Sequence, residues 1–237
     1  MKKKYIGKGV GFKKKFNFHN FPPHLFDSHI EKSIPLFNEF HFLTQQVFKQ
    51  FVSDDTCVYD LGCSAGKFLY SLSKISTHRN VRFIGIDNAK NMIDYAKKYN
   101  NSKKIEYFNK DIRNIKFKKS NLVICLFTLQ FIQNKEDRQK VLNKIYLSLN
   151  KGGALVLAEK VHYVDRFYEE FVQRSYFTWK ELNKFTKDEI LHKSRLLKGV
   201  LSTLTTEENY KLLRKSGFGI YHLLLRHTVF DLYLAIK

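Results

Sequence analysis

The chain has 237 residues, with 42 lysines and arginines against 22 aspartates and glutamates, a net charge of +20 and a hydrophobic fraction of 43%. That length fits one domain with a sizeable core, and the apolar fraction excludes a disordered chain. No stretch reaches the roughly 18 to 20 apolar residues that cross a bilayer, and the basic start Met1-Lys2-Lys3-Lys4-Tyr5 lacks the apolar segment and cleavage site of a secretory signal, so the expected setting is the cytoplasm, with no membrane partner.

The first forty residues carry Phe16, Phe18, Phe21, Phe26, Phe37 and Phe40, and 1–50 is expected to form an N-terminal helical segment packed against the same pocket as the cap. Residues 51–160 alternate short apolar runs with longer amphipathic ones, the pattern of a parallel, doubly wound α/β core. Strands are expected at 58–61, 82–86, 105–108, 122–127 and 154–158. Helices are expected at 67–75, 89–99 and 135–149, the last with Val141, Leu142, Ile145 and Leu149 on one face and closed by Lys151-Gly152-Gly153. Residues 161–200, rich in aromatics and charge, read as a helical cap over the pocket. Residues 201–237 close the domain with a helix at 206–216, the stop Gly217, and strand-like runs at 220–225 and 228–236 as an antiparallel edge. Without repeats or a Pro/Gly-rich linker, the chain is expected to be a single domain.

The chemistry gathers at the strand ends. After the first strand, Asp60-Leu61-Gly62-Cys63-Ser64-Ala65-Gly66 offers small residues where a backbone must turn sharply and approach a ligand. Asp87 ends the second strand, at the distance where a carboxylate accepts hydrogen bonds from both ribose hydroxyls. A dinucleotide site uses similar parts, but Asp60 before the turn suits a cationic amino-acid portion and opposes a pyrophosphate. In Lys110-Asp111-Ile112-Arg113, Asp111 and the next backbone N–H are placed to read the edge of adenine. Asp111 also fits a helix cap. The cofactor expected from these residues is S-adenosylmethionine. His162, just after the fifth strand, is a candidate base, with a packed or solvated histidine as the other reading; Tyr163 and Tyr176 suit either the acceptor site or the core. Cys57, Cys63 and Cys125 have no metal-ligand spacing and read as buried free thiols, with no metal expected. The lysines are spread along the whole chain and fit a biased base composition, although the charge also permits RNA as a partner.

Val58-Tyr59-Asp60-Leu61-Gly62-Cys63-Ser64, Gly85-Ile86-Asp87-Asn88, Lys110-Asp111-Ile112-Arg113, Phe127-Thr128-Leu129-Gln130-Phe131 and Gly152-Gly153-Ala154-Leu155-Val156-Leu157-Ala158-Glu159-Lys160 together resemble the carboxy-S-adenosyl-L-methionine synthase family. The likeness extends to Ser33-Ile34-Pro35 and to 193–200. It implies a Rossmann-like class I methyltransferase fold, with a seven-stranded, mostly parallel sheet, helices on both faces and a helical cap. It also implies a homodimer, prephenate as the second substrate, and a carboxy product that a partner enzyme uses on the wobble uridine of transfer RNA.

The cofactor positions implied by the resemblance and matched here are Gly62, Cys63, Ser64, Asp87, Asn88, Asp111 and Ile112. Three others differ: Phe37 stands where the family has a tyrosine, Leu126 where it has an asparagine, and Ser194 where it has the arginine that holds the added carboxylate, with Arg195 beside it. A serine does not replace the two parallel donors of a guanidinium, and one step along a helix turns a side chain by about 100°. Arg195 would serve only from a rotated helix or from a partner subunit. The leading expectation is therefore methyl transfer from S-adenosylmethionine to a small acceptor, with Arg195 and His162 as candidate catalytic groups. Carboxy-S-adenosylmethionine synthesis is the alternative, and an RNA methyltransferase or non-catalytic binding module is a third reading.

Overall fold

The computed structural model describes residues 18–237; the lysine runs at 2–4 and 13–15, and Phe16, lie outside them. Seven strands form one sheet: β1 (Cys57–Leu61), β2 (Arg82–Asp87), β3 (Ile105–Asn109), β4 (Ser120–Leu126), β5 (Leu149–Lys160), β6 (Ile220–His227) and β7 (Phe230–Ile236). Their order is β3-β2-β1-β4-β5-β7-β6. The first five pair in parallel, and β7 runs antiparallel between β5 and β6.

The central strands are apolar on both faces because both are covered. Leu122 and Ile124 of β4 with Val156 of β5 pack on one side. Val123 and Cys125 with Leu155 and Leu157 pack on the other. The first side is covered by α2 (Phe37–Phe51), α3 (Lys67–Ile75) and α4 (Lys90–Tyr99), through residues such as Phe40, Phe48, Leu69, Leu72 and Ile93. The second is covered by α5 (Lys135–Ser148) and α8 (Thr206–Ser216), through Val141, Leu142, Ile145 and Leu213. Helix α8 opens on a capping box between Thr205 and Glu208 and stops at Gly217, whose φ of 110° only glycine adopts readily. All three cysteines are buried and free. None of the described helices is long and apolar enough to cross a membrane.

Two expectations change. The pair Gly152-Gly153 lies inside β5 rather than at the end of α5. Leu149 already pairs with Ser120, and the Gly152 N–H donates to the Lys237 carbonyl at 2.8 Å, so the glycines absorb an irregularity in the strand. The second concerns 161–200. It folds as α6 (Arg166–Leu182) and α7 (Lys187–Leu197), but α6 docks on the core through Val172 and Tyr176, whose ring stands 5.4 Å from Phe230. The cover of the pocket comes instead from α1 (Pro23–Glu31) and α2.

Candidate functional site

The carboxyl ends of β1 to β4 open into a cavity of about 860 Å³, within the roughly 300 to 1,000 Å³ of small-molecule sites. It brings together Phe37, Asp60, Gly62, Cys63, Ser64, Asp87, Asn88, Asp111, Ile112 and Leu126. Gly66 stands just behind this lining and closes the turn, its N–H donating to the Cys63 carbonyl at 2.9 Å.

Sterics hold the turn in place. Gly62 has φ 79°, and a Cβ there would lie 2.1 Å from Thr128 Oγ1, which itself donates to the Leu61 carbonyl at 2.9 Å. A Cβ on Gly85 would lie 2.6 Å from the Tyr107 ring and 2.9 Å from Cys63 Sγ. The Tyr107 hydroxyl donates to the carbonyls of Asn100 at 2.6 Å and Gly66 at 3.2 Å. Gly85 and Tyr107 therefore shape the cradle from behind the lining, and Thr128 shapes it from within. Sequence reasoning did not give them this part, because it depends on contacts between strands.

The floor is acidic. Asp60 is 5% exposed; burial, with the Asp87 charge beside it, pushes its carboxyl up to about 7, and nothing nearby opposes the rise. Asp87 accepts from the backbone N–H of Ser64 at 2.9 Å and of Ala89 at 2.8 Å. Burial raises its pKa while these donors lower it. The Asn88 backbone N–H and the charge of His19 also lower it. Asp111 caps a 3-10 turn by accepting from the Arg113 N–H at 2.9 Å, and its carboxylate pairs with the Arg113 guanidinium at 2.6 Å. The capping reading of this residue is thus realised, at the cavity edge.

The wall formed by α1 and α2 is the N-terminal helical segment expected against the pocket, but the part His41 plays in it was not legible in the sequence. His41 stacks on Phe68 with centroids 4.1 Å apart and lies 4.3 Å from Phe37. Burial and the Lys67 charge lower it to about 4, so it is a neutral imidazole at neutral pH. Lys67 lies 4.0 Å from Asp27. Among the described residues, six carboxylates line the cavity against three lysine and arginine side chains. In a chain of net charge +20, the lining of this cavity is acidic on balance.

The two candidate catalytic groups are not brought here. His162 lies outside the lining, with Nδ1 3.2 Å from Thr203 Oγ1 and its N–H donating to the Leu204 carbonyl. Arg195 is exposed on α7, as is Ser194, so the one-residue displacement leaves both outside the cavity of this chain. Tyr163 and Tyr176 also stand apart, their hydroxyls donating to the carbonyls of Thr228 and Ser33. Of 161–200, Val200 alone among the described residues reaches the cavity.

Comparison with known proteins agrees with this architecture. The methyltransferase domain family matches residues 58–153. A carboxy-S-adenosyl-L-methionine synthase of Staphylococcus epidermidis is 38% identical over 193 residues, covering 81% of this chain and 84% of that protein. One of Salmonella arizonae is 34% identical, covering 90% and 87%. Among solved structures, an S-adenosylmethionine-dependent methyltransferase of Methanosarcina mazei superposes with a TM-score of 0.57 at 15% identity, over 81% of this chain and 96% of that one. Human N-acetylserotonin methyltransferase, in complex with S-adenosylmethionine, gives 0.55 at 17%, over 90% and 65%.

Proposed function

The chain belongs to the carboxy-S-adenosyl-L-methionine synthase family of methyltransferase-fold proteins, and we propose that it uses S-adenosylmethionine to methylate a small acceptor. The residues fit this cofactor. The buried Asp60 carboxyl has no counter-ion and matches a cationic amino-acid end, while Asp87 lines the cavity as an acceptor for ribose hydroxyls and the Gly62-Cys63-Ser64 turn brings the backbone close. Asn88, Asp111 and Ile112 border the space for the base. When bound, the cofactor supplies an electrophilic methyl group for in-line displacement. The chain's part is positioning and the exclusion of water by Phe37, Phe68 and Phe131. Neutral His41, in the α2 wall, is the base placed to take a proton from the acceptor.

The observation that carries methyl transfer is the absence of a free cation near Phe37 and Leu126 among the described residues. Lys67 neighbours Asp27, Arg113 is paired with Asp111, and Lys110 sits over the Phe108 ring at 5.7 Å. A carboxylate attached to the cofactor would find no bidentate partner there. The acidic lining also disfavours an RNA backbone inside the cavity. Mass spectrometry of the nucleoside that co-purifies with the protein tests the reading: S-adenosylmethionine or S-adenosylhomocysteine is expected, and the carboxy derivative would contradict it.

Carboxy-S-adenosylmethionine synthesis from prephenate, for transfer RNA modification, is the second reading, favoured by the relatives that carry this name over most of the chain. A homodimer that set Arg195 of one copy at the cavity of the other would serve it.

A further inference from the structure

Beyond β4 the chain enters a stretch that is neither strand nor α-helix and that lines the cavity for several residues. Phe127 is held at φ 56°, in the left-handed region, and Thr128 opens the 3-10 turn Leu129–Phe131. Phe127, Thr128, Gln130, Phe131 and Ile132 all line the cavity. A backbone of this kind persists only where its surroundings over-determine it.

Two buried side chains supply those surroundings, and neither lines the cavity itself. Arg138 of α5 is 1% exposed and Glu159 of β5 is 2% exposed. Arg138 Nε donates to the Ile132 carbonyl at 2.7 Å, and its Nη2 donates to the carbonyls of Gln130, at 3.4 Å, and of Ser202. Glu159 meets the same turn from the sheet. Burial pushes its carboxyl up to about 8, against the Arg138 charge and the backbone N–H groups of Leu129 and Gln130. Gln130 is held further by the Ser202 N–H, which donates to its carbonyl at 2.9 Å, and by the Lys160 N–H, which donates to its side chain at 2.7 Å. The Gln133 side chain donates to the carbonyl of Val200, the lining residue two before Ser202.

A buried pair of this kind is a poor device for stability alone, since apolar side chains of the same volume often do as well or better. Arg138 Nη1 and Glu159 Oε1 also have no hydrogen-bond partner among the described residues, a cost that apolar replacements would not carry. What apolar side chains could not do is satisfy the carbonyls and N–H groups of a turn that no helix or sheet satisfies.

We propose that Arg138 and Glu159 are positioning residues of the S-adenosylmethionine site: acting through the turn at 128–132, they hold Gln130, Phe131 and Ile132 in the cavity wall, and Arg138, through Ser202, fixes Val200 at its edge. The assignment rests on the proposed use of that cofactor. Neither side chain reaches the space a ligand would occupy, so both act through the backbone they hold.

The test is calorimetric titration of the full chain with S-adenosylhomocysteine, well below the melting temperature of every variant, together with amide hydrogen exchange. Arg138→Met and Glu159→Leu are expected to weaken binding by about tenfold and to speed exchange at 128–133. Arg138→Lys and Glu159→Gln, which keep a donor and an acceptor, are expected to recover most of the affinity. Leu142→Ala, in the core on the same helix as Arg138, controls for a general loss of stability: it is expected to lower the melting temperature and to bind like the parent. Where Arg138→Met does not fold, Glu159→Leu against Glu159→Gln makes the same comparison. The assignment is overturned if the two apolar variants bind like the parent, if the conservative variants bind no better than the apolar ones, or if Leu142→Ala weakens binding as much as Arg138→Met. Failure of the parent to bind S-adenosylhomocysteine would instead remove the cofactor reading, and unchanged exchange at 128–133 in the apolar variants would still overturn the clamp by itself.

Discussion

Two groups of like charges, each with one buried member, Asp60 and Lys180, are opposite in sign. Asp60 and Asp87 sit at the tips of β1 and β2; no cation acts on Asp60, and Asp87 feels only the field of His19. Lys160, Lys180 and Lys193 sit behind α1 with no carboxylate paired to them. The acids come from neighbouring strands and are placed by local backbone geometry. The lysines come from β5, α6 and α7 and meet only through tertiary packing. Each group destabilises the folded protein while its members are charged and unpaired.

The comparison breaks first, and by the largest margin, at Lys180. Its folded pKa of about 6 lies below its usual 10.5, so between these values the unfolded chain holds a proton that the native state lacks, and stability rises with pH through that window. Replacing Lys180 by Met should therefore stabilise the protein below pH 6 by up to about 6 kcal/mol, with this contribution gone by pH 10.5. Chemical denaturation across that range measures it, and a pH-independent difference between the two proteins would contradict an unpaired buried ammonium.

Asp60 supplies the mirror image. Its folded pKa of about 7 lies above its usual 3.8, so the native state holds a proton that the unfolded chain has lost, and stability falls as pH rises between these values. Asp60→Asn should match the parent near pH 3.8 and exceed it by about 4 kcal/mol above pH 7. Parallel melting curves would contradict this if the gap stayed constant. The smallest effect is on binding. Asp87→Ala should weaken S-adenosylmethionine by roughly 1 to 3 kcal/mol, because the ribose hydroxyls and the Ser64 and Ala89 N–H groups lose one acceptor. Unchanged affinity by calorimetry would remove Asp87 from the site.

The contrast also explains what could be read before folding. Asp60, Gly62, Ser64 and Asp87 were legible because a strand, a tight turn and the next strand tip are short-range consequences of residue type. Helices α3 and α8 and the stop Gly217 followed from apolar spacing and capping residues. The position of β7 between β5 and β6 was hidden, since both closing strands read alike and order depends on pairing partners. The docking of α6 and α7 on the core rather than over the cavity was hidden for the same reason: amphipathic spacing gives a helix its apolar face but not the surface on which that face docks. His41 lies on α2 and Lys180 and Lys193 on α6 and α7, and Arg195 was a candidate only from a rotated helix or a partner subunit because a one-residue displacement says nothing of which way α7 turns.

The most direct test is to supply the purified protein with S-adenosylmethionine and prephenate and to follow carboxy-S-adenosylmethionine by mass. Phe37 and Leu126 line the cavity, and Ser194 and Arg195 are exposed outside it, so among the described residues no guanidinium stands free to hold the added carboxylate. An unpaired carboxylate in a closed pocket costs several kcal/mol, which slows a reaction by orders of magnitude. Little or no carboxy product is expected. Efficient formation of that product, lost in Arg195→Ala, would contradict methyl transfer and make carboxy-S-adenosylmethionine synthesis the function.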